Sequence, residues 1–150
     1  MKELWRPSVT VAAVIERDGR FLLVEELIDG KRVINQPAGH LDPGESLAAG
    51  CAREVLEETA HRFEPTGLVG VYRWYYEPKD VTFLRFCFKG KILGQDPTRK
   101  LDKEIIALHW LTLDQLKASA ARRSPLVLKC VEDYLAGRNY PLDLFSKEFS

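Results

Sequence analysis

No run of apolar residues in this 150-residue sequence approaches the roughly 18 needed to span a bilayer, and the N-terminal MKELWRPS has no apolar signal core. Neither a membrane protein nor an exported one is expected. Cysteine is scarce: Cys51, Cys87 and Cys130 are odd in number, far apart, and without the close pairs that structural zinc or a redox motif uses. Buried free thiols in a reducing cytoplasm are the expectation. An excess of one charge is missing too, since 22 basic residues balance 22 acidic ones. No overall field draws the chain to nucleic acid or anionic lipid, so any phosphate site must be built locally. Linkers rich in Pro, Gly and Ser are absent, as are internal repeats, a GxGxxG fingerprint and a Walker A loop. One domain over residues 1–150 follows, as a monomer or small homo-oligomer.

What is present reads as an α+β mixture. Ser8 to Glu16 alternates apolar and other residues, Asp18-Gly19 signals a hairpin, and Arg20 to Glu25 is apolar again. Asp29-Gly30 marks a turn before the short run Arg32 to Asn35, and Gln36 to Gly44 reads as a loop. Gly67 to Tyr76 and Val81 to Gly90, rich in Val, Tyr, Trp and Phe, predict an antiparallel pair. Glu104 to Leu111 predicts another strand, followed by a short helix near Asp114 to Ser119. A last helix has Ser124 as cap and Pro125 as first residue.

The informative segment is GHLDPGESLAAGCAREVLEETAH, Gly39 to His61. On a helix over residues 46 to 60, Glu54, Glu57 and Glu58 fall within an arc of about 100°. Ala48, Ala52, Val55 and Leu56 lie on the far side, and predict a mostly alanine face packed close to a sheet. Three carboxylates so close repel, and a divalent cation removes that repulsion. Oxygen-only ligands suit Mg²⁺, with Mn²⁺ as an alternative, and Mg²⁺ is typically held by a few carboxylates together with substrate phosphates. An acidic helix alone is more often a solvated face with an Arg53–Glu57 pair. The residues upstream of it point the other way.

Gly39, five residues, Glu45, seven residues, Arg53-Glu54, aliphatic Val55, one more, then Glu57-Glu58: this pattern is similar to the signature of the Nudix hydrolases. At residue frequencies near 1 in 15, its six fixed positions meet by chance about once in 10⁵ chains of this size. The resemblance implies an α/β/α sandwich with a mixed central sheet and a loop-helix-loop carrying the motif, residues 39–61. It implies metal binding by Glu54, Glu57 and Glu58 with the carbonyl of Gly39, and water activation by Glu54. Arg53 and Glu45 match residues that orient the acidic cluster, and Glu45 in a first helical turn would also complement the dipole. Where the pattern continues with glycine and an aliphatic residue, this chain has Ala60 and His61. Glycine there suits a left-handed helix end, so a local cost of about 1 kcal/mol is expected with metal binding retained. His61 is expected at the surface or in packing, and His40 is given no chemistry.

Within that family, VTVAAVIERDGRFLLVEELIDGK, NQPAGHLDPGESL, FLRF, RSPLV and YPL resemble the NudJ-type bacterial phosphatases. That group acts on nucleoside tri- and diphosphates, releasing phosphate, and on hydroxymethylpyrimidine or thiamine pyrophosphates. The implied partner is a small pyrophosphate on a flat heterocycle. A further acid often joins such sites from the loop before the strand ending in Trp110-Leu111; Glu104 and Asp102 are the candidates, with Glu104 preferred. For the heterocycle, Tyr72, Trp74 and Tyr76 share one side of a strand, and Arg73 and Tyr75 the other. Trp74 is the chosen stacking residue, although ordinary core packing is the commoner role for such a cluster. Arg85, charged amid an apolar strand, suits a phosphate contact or an ion pair. Gln36 and Asn35 suit hydrogen bonds to the heterocycle or a turn cap. Two other readings stay open: a general nucleotide pyrophosphatase, and a Nudix fold used as a ligand sensor without turnover.

Overall fold

The computed structural model describes residues 3–147. Strand β1 (Ser8–Val14) leads to β2 (Glu16–Arg17), and a two-residue hairpin follows. Its residues, Asp18 and Gly19, both take positive φ, 51° and 76°, the conformation whose twist matches the flanking strands. The next hairpin repeats the device, with Asp29 and Gly30 (49° and 77°) joining β3 (Arg20–Ile28) to β4 (Lys31–Asn35). Then come β5 (Ala38–His40), helix α1 (Leu47–Thr59), β6 (His61–Tyr76), β7 (Val81–Gln95), β8 (Ile105–Leu111), α2 (Leu113–Ala118) and α3 (Pro125–Leu135).

Two sheets form. One has the order β5-β1-β7-β6, with β1 and β7 parallel and the other pairs antiparallel. The other centres on β3, which pairs antiparallel with β2, β4 and β8. Alternation sends their side chains to opposite faces. Val11 and Ala13 pack with Leu22, Leu68, Phe88 and, from α1, Cys51 and Val55. Ala12 and Val14 pack with Phe21, Leu23, Cys87 and, from α3, Val127, Cys130 and Val131. The result is a strand layer between helices, the α/β/α sandwich with a mixed sheet that the motif implied. All three cysteines are buried and free. Among the described residues no helix is long and apolar enough to cross a membrane.

The expected elements are present, and several boundaries move. Strand β6 starts at His61 rather than Gly67, and β7 runs to Gln95 rather than Gly90. Pro65 and Gly67 sit at a register shift where the long ladder is irregular rather than ended. The loop from Gln36 contains β5, paired with Thr10 to Ala12. The α1 packing face also needs correction. Its buried residues are Gly50, Cys51, Glu54, Val55, Glu58 and Thr59, while Ala52 and Leu56 are half-buried. Two of the three glutamates therefore turn inward. Ser124 caps α3 as expected, its hydroxyl accepting from the Leu126 amide at 3.2 Å.

Candidate active site

Helix α1 is fixed at both ends. Ser46 accepts the Ala49 amide at 3.1 Å at its start, satisfying one of the orphan donors of the first turn. At its end Ala60 adopts φ 58°, ψ 20°, the left-handed conformation usually left to glycine, and β6 begins at the next residue. His61 is buried there, with its ring edge-on to Trp110 at 6.4 Å. It packs. Glu45 precedes the cap rather than lying in the first turn, where no acid stands. Its carboxylate accepts from the Asp42 amide at 2.7 Å and grips Arg53 at 2.7 and 2.9 Å.

Arg53 is the organiser. Its guanidinium also meets Glu54 at 2.8 Å and Glu57 at 3.2 Å, and donates to the His40 carbonyl at 3.0 Å. The two-point grip of Glu45, then Glu54, hold Arg53 well above its ordinary pKa, so its charge is permanent. Strand β5 passes so close to α1 that a Cβ on Gly39 would run into the Glu54 carboxyl. Only glycine leaves room for that carboxylate.

Glu54, Glu57 and Asp102 each offer an oxygen within 4.8 Å of the others, the metal-like cluster of the described residues. Asp102 is brought there by its amide, which donates to the Glu57 carbonyl at 3.0 Å. The preferred acid, Glu104, stands in the turn just before β8 and lines the adjoining cavity instead. Glu58 is outside the cluster; one carboxylate oxygen accepts the Ala38 amide at 2.8 Å. Burial, with the nearby charges of Glu26, Glu54 and Asp102, pushes Glu58 up to about 9. Burial likewise raises Glu54 against the pull of Arg53, and raises Asp102 together with the charges of Glu57 and Glu104. Hard oxygen donors crowded enough to resist ionisation fit a divalent cation such as Mg²⁺, which would stabilise their charged forms.

A cavity of about 300 Å³ opens beside this cluster, and Glu54 belongs to both. Gly39, Glu54, Glu58 and Glu104 form one wall; Trp74 and Phe83, stacked at 5.7 Å and 18°, stand elsewhere on its lining. Of the β6 aromatics, the side bearing Tyr72, Trp74 and Tyr76 is thus the inward one, while Arg73 and Tyr75 are exposed. Tyr72 is spent on Asp133, to which its hydroxyl donates at 2.8 Å. Arg85 is buried on the cavity, donating to Asn35 and Gln36 at 2.8 Å each. Gln36 does not reach the cavity: it lies behind Arg85, with its amide on the Val127 carbonyl at 2.6 Å. It positions the arginine. Asn35 faces the cavity.

Sequence reasoning missed Glu26, Arg123 and Phe83. Glu26 is buried on the cavity and joined to Arg123 at 3.0 Å. Burial raises its pKa and Arg123 opposes the rise. The signal was available: an acid inside the apolar strand LLVEEL is as anomalous as Arg85 in FLRF.

Residues 4–130 match the model of the NUDIX domain. The chain belongs to the Nudix family, and is a hydrolase of pyrophosphate-containing small molecules. It is similar to phosphatase NudJ of Escherichia coli strain K12, 38% identical over 141 residues covering 94% of this chain and 92% of that one. Among solved structures, a NUDIX hydrolase from Nitrosomonas europaea superposes with a TM-score of 0.92 at 51% identity, covering 94% of this chain and 97% of that one. A MutT protein from Methanosarcina mazei Go1, 24% identical with a TM-score of 0.74 over 91% of this chain and 99% of that one, shares the fold.

Proposed function

We propose that the enzyme hydrolyses phosphoanhydride bonds of nucleoside tri- and diphosphates, and of hydroxymethylpyrimidine or thiamine pyrophosphates, in a Mg²⁺-dependent reaction that releases phosphate. The observation that carries this reading is Glu54, which is shared by the carboxylate cluster and by a cavity lined with the Trp74–Phe83 stack. A flat ring lies against that stack while its pyrophosphate reaches the acidic end. The phosphatase name of the relative from Escherichia coli supports phosphate as the product.

Glu54, Glu57 and Asp102 would hold the Mg²⁺, with Glu58 and the Gly39 carbonyl as further donors. When bound, it neutralises phosphoryl oxygens and lowers the pKa of a ligand water. Arg53 orients Glu54 and Glu57 through the contacts above and opposes the rise that burial imposes on Glu54. Glu54 accepts the proton of the attacking water at a carboxylate oxygen. Arg85, buried with amide oxygens rather than carboxylates as its hydrogen-bond partners, retains charge for a phosphate. Glu104 stands on the cavity wall as a second acid for the same proton traffic.

The test is a substrate panel with Mg²⁺ and separate assays for phosphate and pyrophosphate. Nucleoside triphosphates or thiamine-type pyrophosphates should release phosphate, and Glu57→Gln should lose about 10²-fold in activity. Undiminished turnover by Glu57→Gln overturns the metal assignment. Pyrophosphate as the product replaces this reading with a general nucleotide pyrophosphatase.

A further inference from the structure

Past the aromatic stack a second pocket, of about 280 Å³, shares Ile28, Trp74, Phe83 and Arg123 with the catalytic cavity. The two spaces adjoin, with the Trp74–Phe83 stack on the lining of both. Their polar linings differ in sign. The first cavity sets Glu26, Glu54, Glu58 and Glu104 against Arg85 and the shared Arg123, whereas the second, at the far end, adds Lys31 and Lys79 against a single acid, Asp29. Lys31 opens β4 and Lys79 lies in the turn between β6 and β7, so each sheet sends one hairpin tip to this end.

The cations there are only loosely committed. Lys79 sits 3.3 Å from Asp29, but their side chains are 59% and 71% exposed, so water screens the pair and another anion readily replaces it. Lys31 pairs with no carboxylate among the described residues. Arg123 spends one guanidinium nitrogen on Glu26 and keeps other donors. In a chain with no net charge, two lysines gathered on this pocket beside the shared Arg123 are a local device rather than the spill of a basic surface.

We propose that this far end binds a second phosphate on the same ligand, so that among nucleotides the enzyme favours one phosphorylated on its sugar as well as at its 5′ pyrophosphate. The nucleoside lies against Trp74 and Phe83, with the pyrophosphate toward Glu54 and the second phosphate between Lys31, Lys79 and Arg123. The inference rests on the phosphoanhydride reading above for the direction of the ligand.

Adenosine 3′,5′-bisphosphate and adenosine 5′-monophosphate separate the two ideas, because neither contains an anhydride and both persist with the enzyme. With Mg²⁺ present, calorimetry should show the bisphosphate binding about tenfold tighter to the wild type, a preference that shrinks as salt rises. The double variant Lys31→Gln, Lys79→Gln should bring the affinity ratio to about one, with its binding of the monophosphate showing that it is folded. Equal affinities in the wild type, or a preference that survives the double variant, overturn the proposal. Failure of the hydrolysis reading appears separately, as absence of phosphate release from every nucleotide in the panel.

Discussion

Gly39 and Glu54 show how little room the acidic end of the cavity allows. The missing Cβ of one residue is the space occupied by the carboxyl of the other. Gly39→Ala should therefore displace Glu54 and lower Mg²⁺-dependent phosphate release about 10- to 100-fold, while the melting temperature moves by only a few degrees. Steady-state kinetics beside thermal unfolding checks this, and an active Gly39→Ala enzyme would refute it. The glutamate spacing was legible because one helix fixes it. Asp102 was not distinguishable from Glu104, because the choice depends on a main-chain bond, Asp102 amide to Glu57 carbonyl, that a loop sequence does not encode. Gln36 was misplaced for a similar reason: its neighbour across the fold, Arg85, is 49 residues away.

At the scale of the element, the end of α1 departs from the motif in sequence and keeps its geometry. Ala60 takes the left-handed conformation although it is not glycine, and its carbonyl accepts the Asp96 amide at 2.8 Å, tying the loop before β8 to the helix. It is also 3% exposed. Ala60→Gly should be nearly neutral, since relief of the backbone cost offsets the lost methyl. Ala60→Val puts a β-branched residue in that conformation within the core and should cost about 2 kcal/mol or more. Urea titration measures both, and a Val variant as stable as the wild type would contradict the account. Caps and hairpins such as Ser124 and Asp18-Gly19 were readable from local chemistry. The first third of β6 was not, because its Pro and Gly belong to a bulge stabilised by the partner strand β7.

For the whole molecule, the buried acids predict how stability responds to pH. Glu58 is raised from an ordinary 4.5 to about 9, so between these values the folded protein keeps a proton that the unfolded chain has released. Stability of the metal-free protein must then fall as pH rises through that window. Glu26 and Glu54 shift in the same direction. Acids that are lowered, such as Glu25 and Glu45, act only where carboxylates ordinarily titrate, at the acid edge of the window or below it. With chelator the melting temperature should be higher at about pH 5.5 than at about pH 8.5, and added Mg²⁺ should close the gap by binding best where the carboxylates ionise most easily. A metal-free protein that gains stability across this range would contradict the burial of Glu58. The cavity has one more property, set by where its walls come from. Glu26 and Asn35 belong to the β3 sheet, whereas Arg85, Trp74 and Phe83 belong to the other. An occupant therefore touches both of two sheets that share no ladder of hydrogen bonds, so the space it fills is the seam between them.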